Sequence, residues 1–261
     1  MSHDANFLTD NPELYEAQFP DADRLAARFV LDMLGRFGGG RELLDVGCGT
    51  GRDAAYWTQH GYDVTGLDNS PRMVEHAAAR CREASFIVAD MREFDLGAVF
   101  DVVTCLDSAF LYCHSNAELD SFLDRCRRHL RPGGLLVAEM RNGTFFLGNT
   151  ELLDGPRERT LSWEGVSYHS STRLWIDHAE QLLRRERIWD WPGNPWPLTQ
   201  RSAWRLLFPQ ELRHVLEHAG FEVLALFDEP GPRTEPAWQP GAELRDGLAG
   251  DRLHLIARTV P

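Results

Sequence analysis

The stretch LLDVGCGTGRDAAYW, residues 43–57, constrains the fold more than any other part of the chain. An apolar run ends in three glycines within five residues, and a helical pattern begins immediately afterwards. Glycine allows positive φ and lets another group approach the backbone without meeting a Cβ. In an open α/β sheet, ligands bind outside the carboxyl ends of the strands, where the first turn meets a helix. The stretch therefore predicts a ligand-binding turn after the first strand.

Strand and helix patterns alternate through the first 150 residues. Five short apolar runs predict strands: ELLDVG, DVTGLD, SFIVAD, FDVVTCL and LLVAEM. Helical patterns separate several of them, one capped by Ser70 with Pro71 in its first turn and another capped by Asn116. A leading helical pattern covers residues 12–37, with start signals at Pro20 and Asp21. This alternation predicts βαβ units and a parallel sheet.

The pattern changes after about residue 150. Polar and apolar residues alternate through residues 159–191 and again near 200–208, which predicts antiparallel strands. A helix and two further strands then return. We therefore predict an α/β fold: a doubly wound, mostly parallel seven-stranded sheet with an inserted antiparallel β subdomain. The predicted organisation is a helical cap (1–40), a cofactor-binding core (41–150), an insertion serving as lid or dimer contact (151–208), and a C-terminal completion of the core (209–261).

Composition narrows the possible partners. The formal net charge is −13, from 40 acidic and 27 basic residues, which argues against nucleic acid and anionic lipid as partners. No run of 18 apolar residues predicts a membrane helix. The five cysteines show no CxxC spacing, so we expect reduced thiols in a cytoplasmic protein and no metal site.

Three acids are predicted at one edge of the sheet: Asp45 inside the first strand, Asp68 ending the second, and Asp90 ending the third. An acid at the end of the second strand can accept from both hydroxyls of a ribose. The GxGxG spacing differs from the GxGxxG of dinucleotide enzymes and from a phosphate loop. The three acids suit a ligand with a cationic group, a ribose and an exocyclic amine. For Asp45, orienting the amides of the turn and touching the ligand remain alternatives.

LLDVGCGTG resembles the first motif of the class I methyltransferases, and GLDNSPRM, VADMREF, FDVVTCLDSAFLY and LRPGGLLVAEM resemble their later motifs. The resemblance covers residues 40–140 well and 205–260 loosely. It implies S-adenosyl-L-methionine as cofactor, with the glycine turn at the methionine part, Asp68 at the ribose and Asp90 at the adenine amine. The cofactor-binding residues it implies are Tyr15, Asp45, Gly47, Cys48, Gly49, Gly51, Asp68, Asn69, Met73, Asp90, Met91 and Leu106.

Within that class, the layout is similar to the N-methyltransferases of amino sugars and glycine, in which an N-terminal tyrosine closes over the cofactor; Tyr15 matches it by position. CLDSAF departs from the more serine-rich stretch of the amino-sugar enzymes. We expect methyl transfer to an N or O atom of a small molecule in specialised metabolism. A C-methyltransferase, or a protein that binds the cofactor without methylating (a cyclase or regulator), remains an alternative.

The predicted acceptor side combines the fourth-strand loop with the insertion. Candidate catalytic residues are Asp107, Tyr112 and His114, and candidate substrate residues are Tyr15, Arg141 and His169. Seven of the eight tryptophans lie beyond residue 150. They predict either an aromatic pocket or the interface of a possible homodimer.

Overall fold

The computed structural model describes residues 7–148 and 151–260. The helices are α1 (Pro12–Gln18), α2 (Leu25–Phe37), α3 (Arg52–Gln59), α4 (Pro71–Arg80), α5 (Asn116–His129) and α6 (Pro209–His218). The strands are β1 (Glu42–Val46), β2 (Asp63–Asp68), β3 (Ser85–Val88), β4 (Phe100–Cys105), β5 (Leu130–Arg141), β6 (Arg157–Trp163), β7 (Val166–Asp177), β8 (Leu182–Asp190), β9 (Leu198–Arg205), β10 (Phe221–Phe227) and β11 (Arg252–Thr259). Short 3₁₀ helices cover Ala109–Tyr112 and Gly143–Leu147.

Seven strands form the main sheet, in the order β10-β11-β5-β4-β1-β2-β3. The first five strands of the chain pair in parallel, and β11 runs antiparallel to both of its neighbours. The predicted doubly wound, mostly parallel sheet is therefore confirmed. The strand order reverses between β1 and β4, and the crevice beyond their carboxyl ends is where such folds bind ligands.

Helices cover both faces of this sheet, which explains why its central strands are apolar almost throughout. One buried cluster packs side chains of α5 and α6, such as Phe122 and Leu216, against the sheet. Another packs α2 and α3, through Phe29 and Trp57, against the opposite face. The two cores fix the strand ends that form the crevice.

The predicted insertion forms a second, antiparallel sheet in the order β6-β7-β8-β9. It enters the chain after β5, so its root lies at the carboxyl-end edge of the main sheet. Residues 1–6 of the predicted cap and the boundary residues 149–150 lie outside the described residues. Across the described ranges, no helix is long and apolar enough to cross a bilayer.

Two local predictions were wrong. The helical pattern over 12–37 forms two helices, and the second begins only at Leu25, where the side chain of Asp21 accepts from the Leu25 amide. The cap of α5 is Ser115 instead of Asn116, because Ser115 and Glu118 form a reciprocal capping box. The helix ends at His129, just before the RPGG segment at residues 131–134, which belongs to the long strand β5.

Candidate active site

A cleft of about 1280 Å³ opens at the carboxyl ends of the main strands, between α1 and one face of the second sheet. It brings together most of the residues predicted from sequence: Tyr15, Gly47, Gly49, Asp68, Asn69, Met73, Asp90, Met91, Leu106, Asp107, Tyr112, His114 and Arg141. Asp45, Cys48, Gly51 and His169 do not line it. The fold thus gathers residues from across the chain, from α1 to β5, at one site.

The three glycines of the turn all have positive φ, but they serve different purposes. A Cβ built on Gly49 would meet nothing within 4 Å, so this backbone faces open space in the cleft. A Cβ on Gly51 would lie 2.6 Å from the Cβ of Ala77, and one on Gly47 would lie 2.9 Å from the Cβ of Ala109. Gly49 is therefore the position where a ligand can approach the backbone. Gly51, predicted as a cofactor contact, is instead a packing position beneath α4.

Asp68 organises the turn. Its Oδ2 accepts from the Gly49 amide at 3.0 Å, and its Oδ1 accepts from the Ser70 amide at 2.9 Å. Burial raises the pKa of Asp68, and the backbone amides partly offset that effect. Each carboxylate oxygen has two lone pairs, so both can still accept a further hydrogen bond from a ligand in the cleft.

Asp45 lies beneath the turn and not in the cleft. Its side chain is buried, and Thr104 on β4 donates a hydrogen bond of 2.7 Å to Oδ1. Burial raises the pKa of Asp45 to about 7, against the opposing effect of that hydrogen bond. Cys48 is also buried, with its Sγ directed at Gly66 of β2. Both side chains pack behind the turn and outside the cleft, which contradicts a cofactor contact by the side chain of Cys48 and, of the two alternatives for Asp45, the contact with the ligand.

Asp90 lines the cleft, but its carboxylate is already engaged. The Arg92 side chain donates to Oδ1 at 2.8 Å and to Oδ2 at 2.5 Å. This paired hydrogen bond holds the pKa of Asp90 below its ordinary value. Arg92 also bonds Glu118 at the start of α5, which fixes the loop. Contact between Asp90 and an adenine amine stays a prediction.

Asp107 lies just beyond β4, where Tyr15 of α1 meets the sheet. The Tyr15 hydroxyl donates to Oδ2 of Asp107 at 3.0 Å. Oδ1 lies 3.6 Å from Nε of Arg233. The side chain of Asp107 is 41% exposed, because it faces the cleft. Burial acts to raise the pKa of Asp107, but Arg233 and Arg252 outweigh it and lower the pKa. The carboxylate is thus held ionised within the cleft.

Sequence reasoning missed the residues that hold Asp107. Glu139 on β5 is 1% exposed and accepts from Arg233 and Arg252 at 2.8 Å each. It also accepts from the Asp107 amide at 3.0 Å. An acid inside the apolar run LLVAEM was the available signal, since buried carboxylates are normally paired. Arg233 lies in a loop, and no local pattern marks it.

His114 joins the fourth-strand loop to the second sheet. Its Nε2 lies 2.9 Å from the carbonyl oxygen of Ala203 on β9. A carbonyl oxygen can only accept, so Nε2 carries the proton and Nδ1 is the basic nitrogen of the neutral ring. Arg205 of β9 donates to the His114 carbonyl as well. The ring of Tyr112 lies 6.4 Å away, centroid to centroid.

The two predicted substrate residues beyond β4 fall on different sides. Arg141 lines the cleft, with its guanidinium 5.9 Å from the ring centroid of Trp204. His169 is exposed and bonds Thr160. On β7, Thr172 and Leu174 face the cleft, so strand alternation directs position 169 to the outer face. The prediction that His169 contacts substrate was therefore wrong. Four tryptophans of the insertion are candidates for the lid, namely Trp163, Trp175, Trp189 and Trp204, and of these Trp204 lines the cleft.

Comparisons with known proteins agree with this architecture. Residues 43–134 match the family model described as a methyltransferase domain. A dTDP-3-amino-3,4,6-trideoxy-alpha-D-glucopyranose N,N-dimethyltransferase from Streptomyces venezuelae is 38% identical over 97 residues, 37% of this chain and 41% of that protein. The chain thus spans about two fifths of the length of the first curated relatives it matches.

Two solved structures extend the likeness to nearly the whole chain. The sugar N-methyltransferase KedS8 from Streptoalloteichus is 25% identical with a TM-score of 0.74, covering 95% of this chain and 91% of that one. CalS10, an amino pentose methyltransferase from Micromonospora echinaspora bound to S-adenosylmethionine, is 24% identical with a TM-score of 0.68, covering 94% of each chain.

The sheet order, the glycine turn and the cleft together define the fold of the class I S-adenosylmethionine-dependent methyltransferases. Residues 43–134 match a methyltransferase domain, and the predicted resemblance of the chain to the amino-sugar N-methyltransferases is confirmed. S-adenosyl-L-methionine is the cofactor of the class.

Proposed function

We propose that this chain transfers a methyl group from S-adenosyl-L-methionine to a nitrogen atom of a small-molecule amine. One observation carries the proposal: the unit formed by Gly49 and Asp68 shares a cleft with an ionised carboxylate, Asp107, that bonds Tyr15. The names of the first curated relatives, all N,N-dimethyltransferases of amino sugars, favour nitrogen as the acceptor atom.

The residues of the turn suit this cofactor. Gly49 leaves room for a ligand beside the backbone, and Asp68 has acceptor capacity for the two ribose hydroxyls. Arg52, which sequence reasoning missed, lines the same part of the cleft and is a cation available to the carboxylate of the methionine part. Leu106 and Met91 supply apolar walls. When bound, the cofactor supplies an electrophilic methyl group on a sulfonium sulfur.

Asp107 is the group we assign to the amine. An ionised carboxylate attracts an ammonium ion into the cleft and accepts an N–H hydrogen bond from the neutral amine, which orients the nitrogen lone pair. Tyr15 holds the carboxylate from α1, and Glu139 holds its backbone from β5. Fixed geometry of this kind can supply about 7–11 kcal/mol of the barrier reduction. An ammonium acceptor must lose a proton before its nitrogen can attack, and we assign His114, which lines the same cleft, to receive it.

The proposal is tested by incubating the purified chain with S-adenosylmethionine and matched pairs of small acceptors. One member of each pair carries an amine, and the other carries a hydroxyl at the same position; amino-sugar nucleotides and their hydroxyl analogues form the first pairs. We expect one or two methyl groups on the amine members, located on nitrogen by NMR. Methyl on oxygen or carbon would contradict nitrogen as the acceptor atom. Calorimetric binding of the cofactor with no S-adenosylhomocysteine formed would instead favour a binding protein that does not methylate.

Asp107→Asn tests the acceptor part of the site separately from the cofactor part. We expect its turnover number to fall at least tenfold while its dissociation constant for S-adenosylmethionine stays within about twofold, because Asp107 acts on the amine. Asp68→Ala should instead raise the dissociation constant for S-adenosylmethionine strongly, since a hydrogen bond to a charged group contributes about 1.5–3 kcal/mol. Equal effects of the two variants on cofactor affinity would contradict the assignment.

A further inference from the structure

The segment between β10 and β11, residues 228–251, reaches the cleft, and we call it the strap. Its Pro232 and Arg233 line the cavity. Arg233 donates to Glu139 at 2.8 Å and lies 3.6 Å from Asp107. Burial acts to raise the pKa of Asp107, and the charge of Arg233 is the largest of the effects that lower it. The placement of the strap therefore affects the charge of the carboxylate in the cleft.

The two ends of the strap and its middle are fastened to the body. Oδ2 of Asp228 accepts from the amides of Ala249 and Gly250 at 2.8 and 2.9 Å, which joins the two ends. The indole of Trp238 is buried and donates to Asp32 of α2 at 3.2 Å. The part of the strap nearest the cleft lies between these two attachments.

The turn that carries Arg233 rests on His254 of β11. Within this turn, the Gly231 amide donates to the Thr234 hydroxyl at 2.7 Å. A Cβ built on Gly231 would lie 2.1 Å from Nε2 of His254, so the backbone here approaches the imidazole as closely as only glycine allows. The position of Arg233 thus depends on what the ring presents to Gly231.

His254 lies among apolar rings. Its side chain is 0% exposed, and its ring centroid lies 5.0 Å from that of Phe227 and 5.3 Å from that of Phe29. Within residues 7–148 and 151–260, neither ring nitrogen has a hydrogen-bond partner. An apolar side chain would fill this space without the cost of two buried polar atoms. Packing alone therefore does not account for a histidine at this position.

Charged groups approach His254 from β5, from its own strand and from the strap, whereas α2 and β10 contribute the two phenylalanine rings. Glu139 of β5 is its cross-strand partner, Arg252 lies two residues before it, and Arg233 comes from the strap. Burial lowers the pKa of His254, and the two arginines act in the same direction, whereas Glu139 opposes them. The ring beneath the closed strap is therefore neutral.

A proton on His254 would set a third cation beside Glu139, which already accepts from Arg233 and Arg252. Arg252 belongs to the sheet, but Arg233 belongs to the strap and can move away with it. Lifting the turn would also expose His254 to water, where its pKa returns to about 6.5. Because the lifted state then binds the proton more tightly than the closed state, acidification below that value favours lifting.

We propose that His254 is a pH-sensitive support of the strap: the neutral ring holds Arg233 beside Asp107, and protonation lifts residues 231–238 and withdraws Arg233 from the cleft. The lifting itself is independent of methyl transfer. Its consequence for the acceptor rests on the proposed function: without Arg233, Asp107 binds a proton more readily, and its contact with the amine weakens.

The test measures hydrogen exchange in the full chain by mass spectrometry at pH 5.5 and 7.5, with rates converted to protection factors to remove the intrinsic effect of pH. His254→Gln and His254→Leu cannot take up the proton, and His178→Gln is the matched control at an exposed histidine between β7 and β8. For a lifted-state pKa of about 6.5, acidification should lower protection of residues 231–238 about tenfold in the wild type and the control. In both His254 variants it should change by less than about twofold, and β4 should change little in every chain.

Three results would overturn the proposal: unchanged protection of the turn in the wild type, an equal loss in the turn and in β4, or the same loss in the His254 variants. An equal loss in β4 would mean that acid unfolds the whole protein. In turnover, kcat/KM for the amine should fall more between pH 7.5 and 5.5 in the wild type than in either His254 variant; equal falls would refute the link to Asp107. The exchange measurement needs no turnover, so it decides on the strap even if the proposed function fails.

Discussion

Replacing Asp45 by asparagine tests whether Asp45 is a buried structural acid or a ligand of the cofactor. The side chain is 4% exposed and accepts from Thr104, and burial raises its pKa from 3.8 to about 7. Asparagine keeps the shape and an oxygen acceptor for Thr104 but cannot ionise. The substitution therefore removes one titration from the core and little else.

The magnitude follows from the pKa difference between the unfolded and the folded chain. A raised folded pKa means that the native state binds the proton more tightly, so the wild type loses stability as pH rises from about 4 to about 7. The slope is about 1.4 kcal/mol per pH unit, and the full loss is about 4 kcal/mol above pH 7. Asp45→Asn lacks this loss, so its stability advantage over the wild type should grow with pH across that window and then level off.

The assay is urea unfolding followed by tryptophan fluorescence at pH 5, 6, 7 and 8. Asp246→Asn is the control, because it removes an exposed acid and should leave the pH dependence of stability nearly unchanged. Parallel stability curves for wild type and Asp45→Asn would refute the reasoning about burial. A loss of cofactor affinity in Asp45→Asn as large as that in Asp68→Ala would return Asp45 to the binding site.

Two further predictions concern the turn and α1. Both glycines have positive φ, so Gly49→Val and Gly51→Val should each lower the melting temperature, but Gly51→Val should lower it further because its Cβ also meets Ala77. Gly49→Val should in addition weaken S-adenosylmethionine binding at least tenfold in calorimetry, because its side chain enters the cleft; a larger loss of stability in Gly49→Val than in Gly51→Val would reverse their roles. Tyr15→Phe removes the hydroxyl that donates to Asp107. We expect kcat/KM for the amine to fall roughly tenfold, which corresponds to a loss of about 1.5 kcal/mol. Unchanged steady-state kinetics would mean that this hydrogen bond does not position the carboxylate.

Local patterns in the sequence were enough to predict the main sheet and the glycine turn. Strands and helices differ in the spacing of their apolar residues, and a turn with positive φ favours glycine. Each of these signals is therefore contained within a short stretch of the chain. The same holds for the change to alternating strands after β5. These features follow from sterics and burial, which act locally.

The roles of Asp45 and Asp68 could not be separated in that way. Both acids lie near the carboxyl end of a parallel strand, and both were predicted to bind the cofactor. Asp45 is turned toward Thr104 because β1 pairs with β4 in that register. Asp68 is turned toward the amide of Gly49. Strand order and register decide which carboxylate meets the ligand, and neither is visible in a single strand.

His169 and Arg233 show two further limits. Alternation on β7 predicts that positions 169 and 172 face opposite sides, but only docking of the second sheet determines which side is the cleft. Arg233 is 94 residues from Glu139 in the chain, and no pattern within its loop indicates that pairing. Sequence reasoning therefore located the sheet edge more reliably than the charges that approach it from distant segments.

Asp107 gives the cleft an electrical direction of its own. It places a negative charge at the end of β4, where Tyr15 donates to one carboxylate oxygen and Arg233 approaches the other. An acceptor that enters with its ammonium group toward Asp107 is favoured, whereas the reverse orientation leaves this carboxylate without a cationic partner from the acceptor. The contact therefore orients the acceptor as well as holding it, so Asp107→Asn should impair turnover and not acceptor binding alone.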